Sequence, residues 1–458
     1  MPSNFRQEER IGNCPRLFEL CEQGHLTAST RILRADNGSD VPLGTLFSSG
    51  EQRLVWSVDG EMRMVARPLT DVVPAGRKQV RRVRLASGRQ VEGTDHLGLS
   101  TIDGWVPIRD LEVGTRVAIP RWVPEPANTA AMPDPEVVLL AHMIGDGSCV
   151  KRQPIRYASI DEENLAAVTA AATHFGITAV RDEYAAARVT TLRLPAPYRL
   201  THGKRNPIAA WLDDLGLFGL RSYEKFVPEP VFALPNQKVA LFLNHLWSTD
   251  GSVHWNPKGR QGRIYYASTS RRLIDDVAQL LLRLDIHGRI KVVSKSGYRD
   301  CWHLNIDGVD NQLTFIDDIG VNGARGRSAA ALRTELEPIT SNTNVDTVPK
   351  QVWDRVRGQL AAKGISYRDF QAAMGTRFCG ATMWKHAPSR HRLEKASRIL
   401  EDGDLWAVAT SDLFWDRIVE ISDLGEQEVY GCLVAGMPSL VAQGTFVLGL
   451  PAVCCRMV

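Results

Sequence analysis

An apolar run that ends in an acidic residue occurs twice in this chain, and this repeat constrains the fold more than any other feature. Residues 139–150 read LLAHMIGDGSCV, and residues 239–253 read VALFLNHLWSTDGSV, with Asp250 in the place of Asp146. Small and apolar residues along each run favour a buried helix that packs closely against a neighbour. The repeat therefore indicates an internal duplication in which each half opens with such a helix.

Two of these helices packed side by side would bring Asp146 and Asp250 within a few ångströms of each other. Paired carboxylates are hard oxygen ligands, which suit Mg²⁺, and we expect Mn²⁺ to substitute for it. Gly145 and Thr249 precede the two acids and are the further candidate metal ligands. Metal ions held in this way catalyse the cleavage of phosphodiesters. The alternative interpretation makes both Asp-Gly pairs ordinary caps of a helix C-terminus, with Asp as a turn residue.

Composition sets only broad limits. The chain has 458 residues, which favours two to four domains. Its 44% hydrophobic and 23% charged residues are ordinary for a soluble globular protein, and a net charge of +3 says nothing by itself about nucleic acid. The cysteines form no CxxC pair, which fits a reducing cytosol. Because no signal peptide or long apolar run is present, we expect a cytoplasmic protein without a membrane partner.

Strand-like segments near both ends of the chain, separated by a different pattern, predict one β domain that is split by an insertion. The inserted region first alternates helices with short strands and then becomes all-helical. The predicted boundaries are a flank at 1–24, the β domain at 25–130 and 404–449, the duplicated unit at 131–340, a helical module at 345–403 and a tail at 450–458.

The motifs LLAHMIGDG and FLNHLWSTDG resemble the paired motifs of the LAGLIDADG homing endonucleases. EKFVPEPVF before the second motif and YYASTSRRLIDDVAQLLLRLDI after it extend the resemblance to roughly residues 136–330. It implies an α+β fold in which an αββαββα unit is used twice, as a monomer with an internal pseudo-two-fold axis and two sheets that form a saddle over double-stranded DNA. It also implies Asp146 and Asp250 as catalytic metal ligands, and Lys225 as the residue that stabilises charge or orients water.

The β segments resemble the splicing domain of an intein, the Hint fold, which implies a split all-β horseshoe. The resemblance rests on HLTASTRILRADNG, on residues 88–121 and on LGEQEVYGCLVAGMPSLVAQGTFVLG. Residues 6–24 resemble the stretch before an insertion in a DnaB-type replicative helicase, which implies an intein-less helicase gene as the DNA target. Helicase activity is not expected of this chain, because it has no GxxxxGK[ST] phosphate loop.

Protein splicing needs particular atoms, and this chain departs from the intein pattern at most of them. Splicing begins with a Cys or Ser nucleophile, but His25 occupies that position. It ends with an Asn that cyclises after a His, but Leu448 and Gly449 occupy these two positions. Thr94 is retained, whereas Leu97 replaces the histidine that activates the first peptide bond.

Three further positions bear on the splicing reaction. His96 lies one residue before the position of that histidine, and on a strand this shift points its side chain to the opposite face. Gly431 replaces the usual Asp, and Cys432 lies one place from the internal cysteine that some inteins use as a nucleophile. We predict a splicing domain that keeps its fold and has lost its reaction, beside an endonuclease that keeps its acids. The alternatives are an intein that still processes itself and a non-catalytic DNA-binding relic.

The helical module has the pattern of a helix-turn-helix. Ser366 is the expected cap of a first helix that ends at Gly375, RFCGATMWKH forms a second helix, and Ser389 caps a third. The alternative interpretation is a helical spacer with a solvated basic face. Basic and aromatic residues of the second helix and of the loop THGKRNP are suited to DNA phosphates and base edges, and the candidates are Arg377, Trp384, Lys385, His386, Lys204 and Arg205.

Overall fold

The computed structural model describes residues 24–451, except for residues 51, 183–187, 202, 343 and 437–438. The chain forms two compact units: unit 1 comprises Met1–Trp122 with Asn342–Val458, and unit 2 comprises Val123–Ser341. The predicted flank before residue 24 and the predicted tail after residue 451 lie outside the described residues. Among the described residues, no helix combines the length and the apolar character that a membrane crossing requires.

The strands are numbered along the chain. They are β1 (Leu26–Thr27), β2 (Arg31–Leu33), β3 (Asp40–Pro42), β4 (Arg53–Val58), β5 (Met64–Leu85), β6 (Gln90–Thr94), β7 (Gly98–Thr101), β8 (Gly104–Pro107), β9 (Arg116–Pro120), β10 (Gly147–Ser148), β11 (Arg156–Ser159), β12 (Val180–Asp182), β13 (Thr190–Arg193), β14 (Gly251–Asn256), β15 (Gln261–Ser268), β16 (Gly288–Val293), β17 (Cys301–Ile306), β18 (Leu413–Val434), β19 (Ser439–Ala442), β20 (Thr445–Leu448) and β21 (Leu450–Pro451).

The helices are numbered in the same way. They are α1 (Leu43–Ser49), α2 (Asp134–Gly145), α3 (Glu162–Thr173), α4 (Pro207–Asp214), α5 (Glu229–Phe232), α6 (Asn236–Asp250), α7 (Arg271–Leu282), α8 (Val309–Thr314), α9 (Ala324–Leu336), α10 (Val352–Ala362), α11 (Tyr367–Ala373), α12 (Arg390–Leu400) and α13 (Gly403–Thr410). Short 3₁₀ turns cover Ile108–Asp110, Ser222–Glu224 and Gly380–Lys385, and a π-helical turn covers Phe315–Ile319.

Unit 2 consists of two halves with the same order of elements. Each half runs helix, two strands, helix, two strands, helix, from α2 to α4 and from α6 to α8. The strand orders also match, with β10-β11-β13-β12 in the first sheet and β14-β15-β17-β16 in the second, and all neighbours are antiparallel. The predicted mixture of helices and sheets is confirmed, and the repeated order is what a duplication produces.

Helices α2 and α6 lie inside the core of unit 2. Residue 137 and residues 139–144 of α2 are buried, and so are most residues of α6, including Trp247. A helix that is apolar on nearly every side has to be covered on every side. The two helices pack directly against each other, so the two apolar runs of the sequence form the centre of this unit.

The second sheet of unit 2 has one buried face and one exposed face. Ile264, Tyr266 and Leu304 alternate with more exposed residues and point into the core, where α7 covers β15 and β17. This alternation is the period of a half-buried strand. The other face is therefore left to carry polar side chains.

In unit 1, the strands before and after the inserted region pair with each other. β5 and β18 are each 22 residues long and run antiparallel, and β1 pairs with β18 through Leu26 and Tyr430. β9, β21, β4 and β6 complete this sheet, and a second sheet has the order β3-β2-β19-β20-β7-β8. Segments from both ends of the sequence thus build the same sheets.

The basic segment 77–85 lies opposite an acidic segment. Residues 77–84 of β5 pair with residues 420–428 of β18. Arg81 forms an ion pair with Asp423 at 3.2 Å, and Arg84 pairs with Glu420. Much of the positive charge of this segment is therefore balanced inside the sheet, which a local reading of the sequence does not indicate.

The helical module of unit 1 differs from the prediction at its second helix. Ser366 caps α11 and Ser389 caps α12 as expected, since each hydroxyl accepts a bond from the backbone N–H three residues on. The predicted helix over 377–386 is wrong: residues 376–379 are not helical, and only a 3₁₀ turn follows. Gly375 and Gly380 have φ values of +68° and +55°, in the left-handed region, which interrupts a right-handed helix at both points.

Arg390 joins the helical module to the strands of unit 1. Its guanidinium donates to the carbonyls of Ala409 at 3.1 Å and Ser411 at 3.3 Å, and it forms an ion pair with Asp346 at 2.7 Å. Asp346 also pairs with Arg121 at 2.9 Å, directly after β9. The module is therefore fixed to the β part of unit 1 by a network of charged hydrogen bonds.

Candidate functional site

Helices α2 and α6 approach each other closely at Gly145. A Cβ atom added to Gly145 would lie 2.0 Å from Thr249 Oγ1, which is far shorter than a van der Waals contact. Only glycine therefore allows this approach. α2 ends at Gly145 and is followed by Asp146, and α6 ends at Asp250, so the ends that carry both acids come together.

Asp146 and Asp250 influence each other electrostatically. Both side chains reach solvent, yet the protein atoms around them raise the pKa of each carboxyl group. The pKa of Asp146 rises to about 6, first because of this desolvation and second because of the negative charge of Asp250. A bound cation relieves repulsion of this kind.

Lys225 lies beside the end of α2, where its ammonium group is engaged with the main chain. Nζ donates to the carbonyls of Met143 (2.9 Å), Ile144 (2.9 Å) and Gly147 (2.8 Å), and it lies 3.3 Å from the Gly145 carbonyl. These bonds use its three N–H donors, and the side chain is only 5% exposed. Burial lowers the pKa of this lysine, although the nearby acids oppose the effect. Lys225 thus holds the turn that carries the first acid.

Arg325 is a cation of this site that the sequence patterns did not indicate. It lies in the first turn of α9, and its guanidinium donates to the carbonyl of Ser248, close before Asp250. Its positive charge lowers the pKa of both Asp146 and Asp250. No sequence signal marks this residue, because it is remote from both motifs along the chain and lies in a segment of ordinary helical composition.

A buried hydrogen-bonded pair of histidines links α2 to α6. His142 Nε2 lies 3.0 Å from His245 Nδ1, and His142 Nδ1 lies 3.0 Å from the hydroxyl of Tyr157. Desolvation lowers the pKa of His142 to about 3 and that of His245 to about 4, so both rings are neutral near pH 7. The pair satisfies polar groups inside the core and fixes the register of the two helices.

The donor atoms at the two helix ends fit a hard divalent cation. Asp146 and Asp250 supply carboxylate oxygens, which Mg²⁺ and Mn²⁺ prefer. The Gly145 carbonyl, a predicted ligand, faces the ammonium group of Lys225 at 3.3 Å, and Thr249 Oγ1 donates to the carbonyl of the residue three positions earlier. Within the described part of the chain, no cluster of three or more His, Cys, Asp or Glu side chains is suited to a metal. A cation here would depend mainly on the two carboxylates.

The exposed face of the second sheet carries a group of polar and aromatic residues that sequence analysis missed. The rings of Tyr265 and His303 stack with centroids 4.9 Å apart. The strand register places Arg263, His254 and Lys291 on the same face, and all three are exposed. The sequence signal that was available is the alternation of polar and apolar residues in β15, for example Arg263 and Ile264. The exposed cations Arg263 and Lys291 give this face positive charge.

The DNA-binding candidates are placed differently from one another. Arg377, Lys385 and His386 are exposed, and Lys204 lies with Nζ 4.0 Å from the ring centroid of Tyr198. Arg205 is exposed but forms an ion pair at 2.6 Å with Asp213, which reduces the charge it offers. Trp384 is half-buried in an aromatic cluster, where its neighbours are Trp353, Tyr367 and Phe370.

At the positions that correspond to the first splice junction of an intein, His25 and Thr94 bond to each other in both directions. His25 N donates to Thr94 Oγ1 at 3.0 Å, and Thr94 N donates to the His25 carbonyl at 3.0 Å. Leu97 is fully buried beside them, whereas His96 is half-buried and lies 3.1 Å from Arg109. An apolar side chain thus occupies the interior position where the intein pattern has its histidine.

The positions that correspond to the second splice junction also lack polar side chains. Leu448 is buried against Gly98, and Gly449 is buried next to it. A Cβ atom at Gly431 would lie 2.5 Å from a methyl group of Leu450, so no aspartate fits there without rearrangement. Cys432 is fully buried, and desolvation raises the pKa of its thiol to about 12, which keeps it protonated and unreactive.

Comparison with known families identifies the second half of unit 2. Residues 237–320, which begin in α6 and run through both following strand pairs, match the model of a family described as LAGLIDADG-like domain. The chain carries a LAGLIDADG-like domain. The match includes the second of the two acids, Asp250, and confirms the resemblance stated from the motifs.

Several curated relatives of this chain are replicative DNA helicases. The chain is 35% identical over 451 residues to the replicative DNA helicase DnaB of Synechocystis sp. (strain ATCC 27184 / PCC 6803 / Kazusa), covering 96% of this chain and 51% of that protein. The chain spans about half the length of the curated relatives it matches. The chain aligns with part of a helicase, yet it contains a LAGLIDADG-like domain and has no phosphate loop. These findings support an intein that carries a LAGLIDADG endonuclease.

Two solved structures are similar to parts of the chain. A DnaB intein from Synechocystis sp. PCC 6803 is 24% identical, covers 22% of this chain and 70% of its own, and gives a TM-score of 0.21. The homing endonuclease I-DmoI in complex with DNA and Mn is 16% identical, covers 41% of this chain and 96% of its own, and gives a TM-score of 0.28.

Proposed function

We propose that this chain is an intein-encoded homing endonuclease that makes a metal-dependent double-strand cut in a long DNA target. Unit 2 would then be the endonuclease, the sheets of unit 1 a splicing domain without activity, and residues 345–403 a DNA-binding module. The observation that carries it is the meeting of Asp146 and Asp250 at the ends of two packed helices. The family match and the helicase relatives support the same assignment.

In the proposed centre, Asp146 and Asp250 would hold the divalent cation. When bound, the cation supplies the Lewis acidity that activates water and neutralises the leaving oxygen of a phosphodiester. Lys225 fixes the turn over residues 143–147 through its carbonyl bonds, so that Asp146 projects from a rigid position. Arg325 adds a positive charge that is suited to orient the scissile phosphate and to stabilise its charge during displacement.

Replacing Arg325 with Ala is expected to slow cleavage about a hundredfold, because one charged donor at the reacting phosphate is lost. Single-turnover rates of plasmid cleavage measure the effect. Arg327 is the matched control, since it lies two residues further along α9 and pairs with Glu163 at the surface. Equal rates for Arg325→Ala and Arg327→Ala would remove Arg325 from the proposed centre.

The purified chain is expected to keep its full length. Cleavage before His25 needs a hydroxyl or thiol at that position, and cleavage after Gly449 needs an amide side chain there, so neither bond meets an internal nucleophile. The buried, protonated thiol of Cys432 does not replace them. Mass spectrometry of a protease-free preparation decides the point. A fragment that begins at residue 25 or ends at residue 449 would favour an intein that still processes itself.

The exposed face of the second sheet and the helical module are the proposed DNA contacts. Arg263, Lys291 and His303 provide cations and polar groups for phosphates and base edges on the sheet. Arg377 and Lys385 provide exposed cations on the module. Contacts at separate surfaces suit a long target, because the free energies of separate base and phosphate contacts add.

A plasmid that carries an intein-less DnaB-type helicase gene provides the test. With Mg²⁺, the full chain is expected to convert the supercoiled plasmid to linear DNA, and with EDTA the plasmid should stay supercoiled. Binding to the gene without cleavage at any Mg²⁺ or Mn²⁺ concentration would favour the DNA-binding relic. A plasmid without the gene is the matched control for specificity.

A further inference from the structure

The loop over residues 376–380, between α11 and the 3₁₀ turn, is held by a buried glutamine. Gln371 is fully buried, its Nε2 donates to the carbonyl of Gly380 at 3.0 Å, and its Oε1 accepts from Cys379 N at 2.7 Å. Its own carbonyl accepts from Thr376 N at 3.0 Å. A buried amide that uses both ends to hold one exposed loop makes the conformation of that loop well defined.

This loop presents an aromatic ring to solvent. Phe378 is 54% exposed, and the guanidinium carbon of Arg368 lies 5.3 Å from the centroid of its ring. Arg377 precedes it and is also exposed. A rigid loop that keeps a large apolar ring at the surface, rather than in the nearby aromatic cluster around Trp384, has the character of a contact surface.

Four exposed cations lie on the loop, on the 3₁₀ turn that follows it, or on the neighbouring helices α11 and α12. Arg368, Arg377, Lys385 and Lys395 are all exposed, and Lys395 Nζ would lie 3.3 Å from a Cβ atom placed on Gly375. In the ion pairs of the described residues, none of these four cations has an acidic partner, whereas Arg355, Arg390 and Arg398 of the same module do. The apolar ring of Phe378 therefore lies on a module surface whose exposed cations at Arg368 and Arg377 are not balanced by acids among the described residues.

We propose that Phe378 acts as an apolar wedge on double-stranded DNA, with its ring against a base step and with Arg368 and Arg377 on the flanking phosphates. Cations that contact phosphates and an apolar side chain that inserts at a base step together bind and bend a duplex. The inference extends the DNA binding proposed above for the module, and it assigns the base contact to Phe378 in place of Trp384. The wedge acts through contact with DNA and takes no part in cleavage.

The test measures binding of the full chain to a fluorescein-labelled duplex of mixed sequence, by anisotropy over a range of salt concentrations. Phe378→Ala is expected to weaken binding about tenfold without changing the slope of log K against log salt, because an uncharged contact releases no counterions. Arg377→Gln should weaken binding and make the slope shallower by about one. Phe378→Trp should restore most of the affinity, and Phe47→Ala, at another exposed phenylalanine of unit 1, should bind as the unaltered chain does.

Several outcomes would overturn the wedge. Phe378→Ala could bind the duplex as tightly as Phe47→Ala does, or it could change the salt slope. It could also lose more affinity for a single strand of polythymidine than for the duplex, which would make the ring a stacking platform for single strands. Melting temperatures of the variants check that folding is unaltered. Failure of the nuclease proposal can be distinguished from failure of the wedge. In that case the unaltered chain would bind duplex DNA without cutting it, and Phe378→Ala would still bind more weakly than the unaltered chain.

Discussion

Replacing Asp146 with Asn, or Asp250 with Asn, is expected to slow double-strand cleavage at least about a thousandfold. Asn has nearly the same shape as Asp but no negative charge, so either variant halves the anionic charge that holds the cation. A loss of this size corresponds to about 4 kcal/mol of transition-state stabilisation, which lies within the contribution of a catalytic metal ion. Single-turnover formation of linear plasmid at saturating Mg²⁺ measures the rate.

Measuring the DNA affinity of the variants distinguishes a loss of catalysis from a loss of folding. Both Asn variants should bind the target duplex within about threefold of the unaltered chain, because removing a negative charge does not weaken contact with phosphates. Asp317→Asn is the matched control in the same unit, since Asp317 pairs with Arg333 at the surface. If either Asp146→Asn or Asp250→Asn linearised the plasmid at the unaltered rate, the assignment of the metal ligands would be wrong.

Replacing Gly145 with Val is expected to destabilise unit 2 by about 3 kcal/mol and to abolish cleavage, because overpacking forces well-packed elements apart. Its Cβ would lie 2.0 Å from Thr249 Oγ1 and 2.7 Å from the Thr249 methyl group, so α2 and α6 must separate. That separation also moves the two acids away from each other. Calorimetry measures the loss of stability, and the plasmid assay measures the loss of activity.

Two controls isolate the contact between the helices. Gly145→Ala combined with Thr249→Gly removes the clashing atoms on α6, and it should recover much of the stability that Gly145→Ala alone loses. Gly358 lies in α10 with no atom within 4 Å of a built Cβ, so Gly358→Ala should leave stability unchanged or raise it slightly. A Gly145→Val chain that melts and cuts as the unaltered one does would show that the helices do not need this close approach.

The centre of unit 2 could be predicted from the sequence because its signal is local and repeated. An apolar run without a polar face has to be buried, and two copies of it pack most simply against each other. The positions of Asp146 and Asp250 follow from that packing. The small residue Gly145 was a further local sign of close approach, and the structure shows that Thr249 is the side chain it meets.

The residues around the two acids could not be predicted in the same way, because their roles depend on contacts between distant parts of the chain. Lys225 was predicted to serve the chemistry, and the structure shows all its donors on the carbonyls at the end of α2. Arg325 was missed because its only link to the acids is spatial. A motif indicates which residue types a site needs, but not which distant side chain supplies them.

The wrong prediction in unit 1 has the same origin. The pattern over 377–386 has helical composition, but the φ values at Gly375 and Gly380 and the bonds from Gln371 produce a loop and a 3₁₀ turn instead. Helix propensity is a weak preference that tertiary contacts override. Likewise, the local sequence of residues 77–85 does not show that its positive charge is balanced, because the acids opposite it lie on β18, far along the chain.

Mapping the cut ends on the plasmid that carries the intein-less helicase gene tests the central claim most directly. Run-off sequencing of both strands of the linear product locates every break. A homing endonuclease is expected to give one break on each strand, close together, at the junction in the helicase gene that the inserted chain would interrupt. Breaks scattered over the plasmid, a break on one strand only, or intact DNA after prolonged incubation with Mg²⁺ would contradict the account.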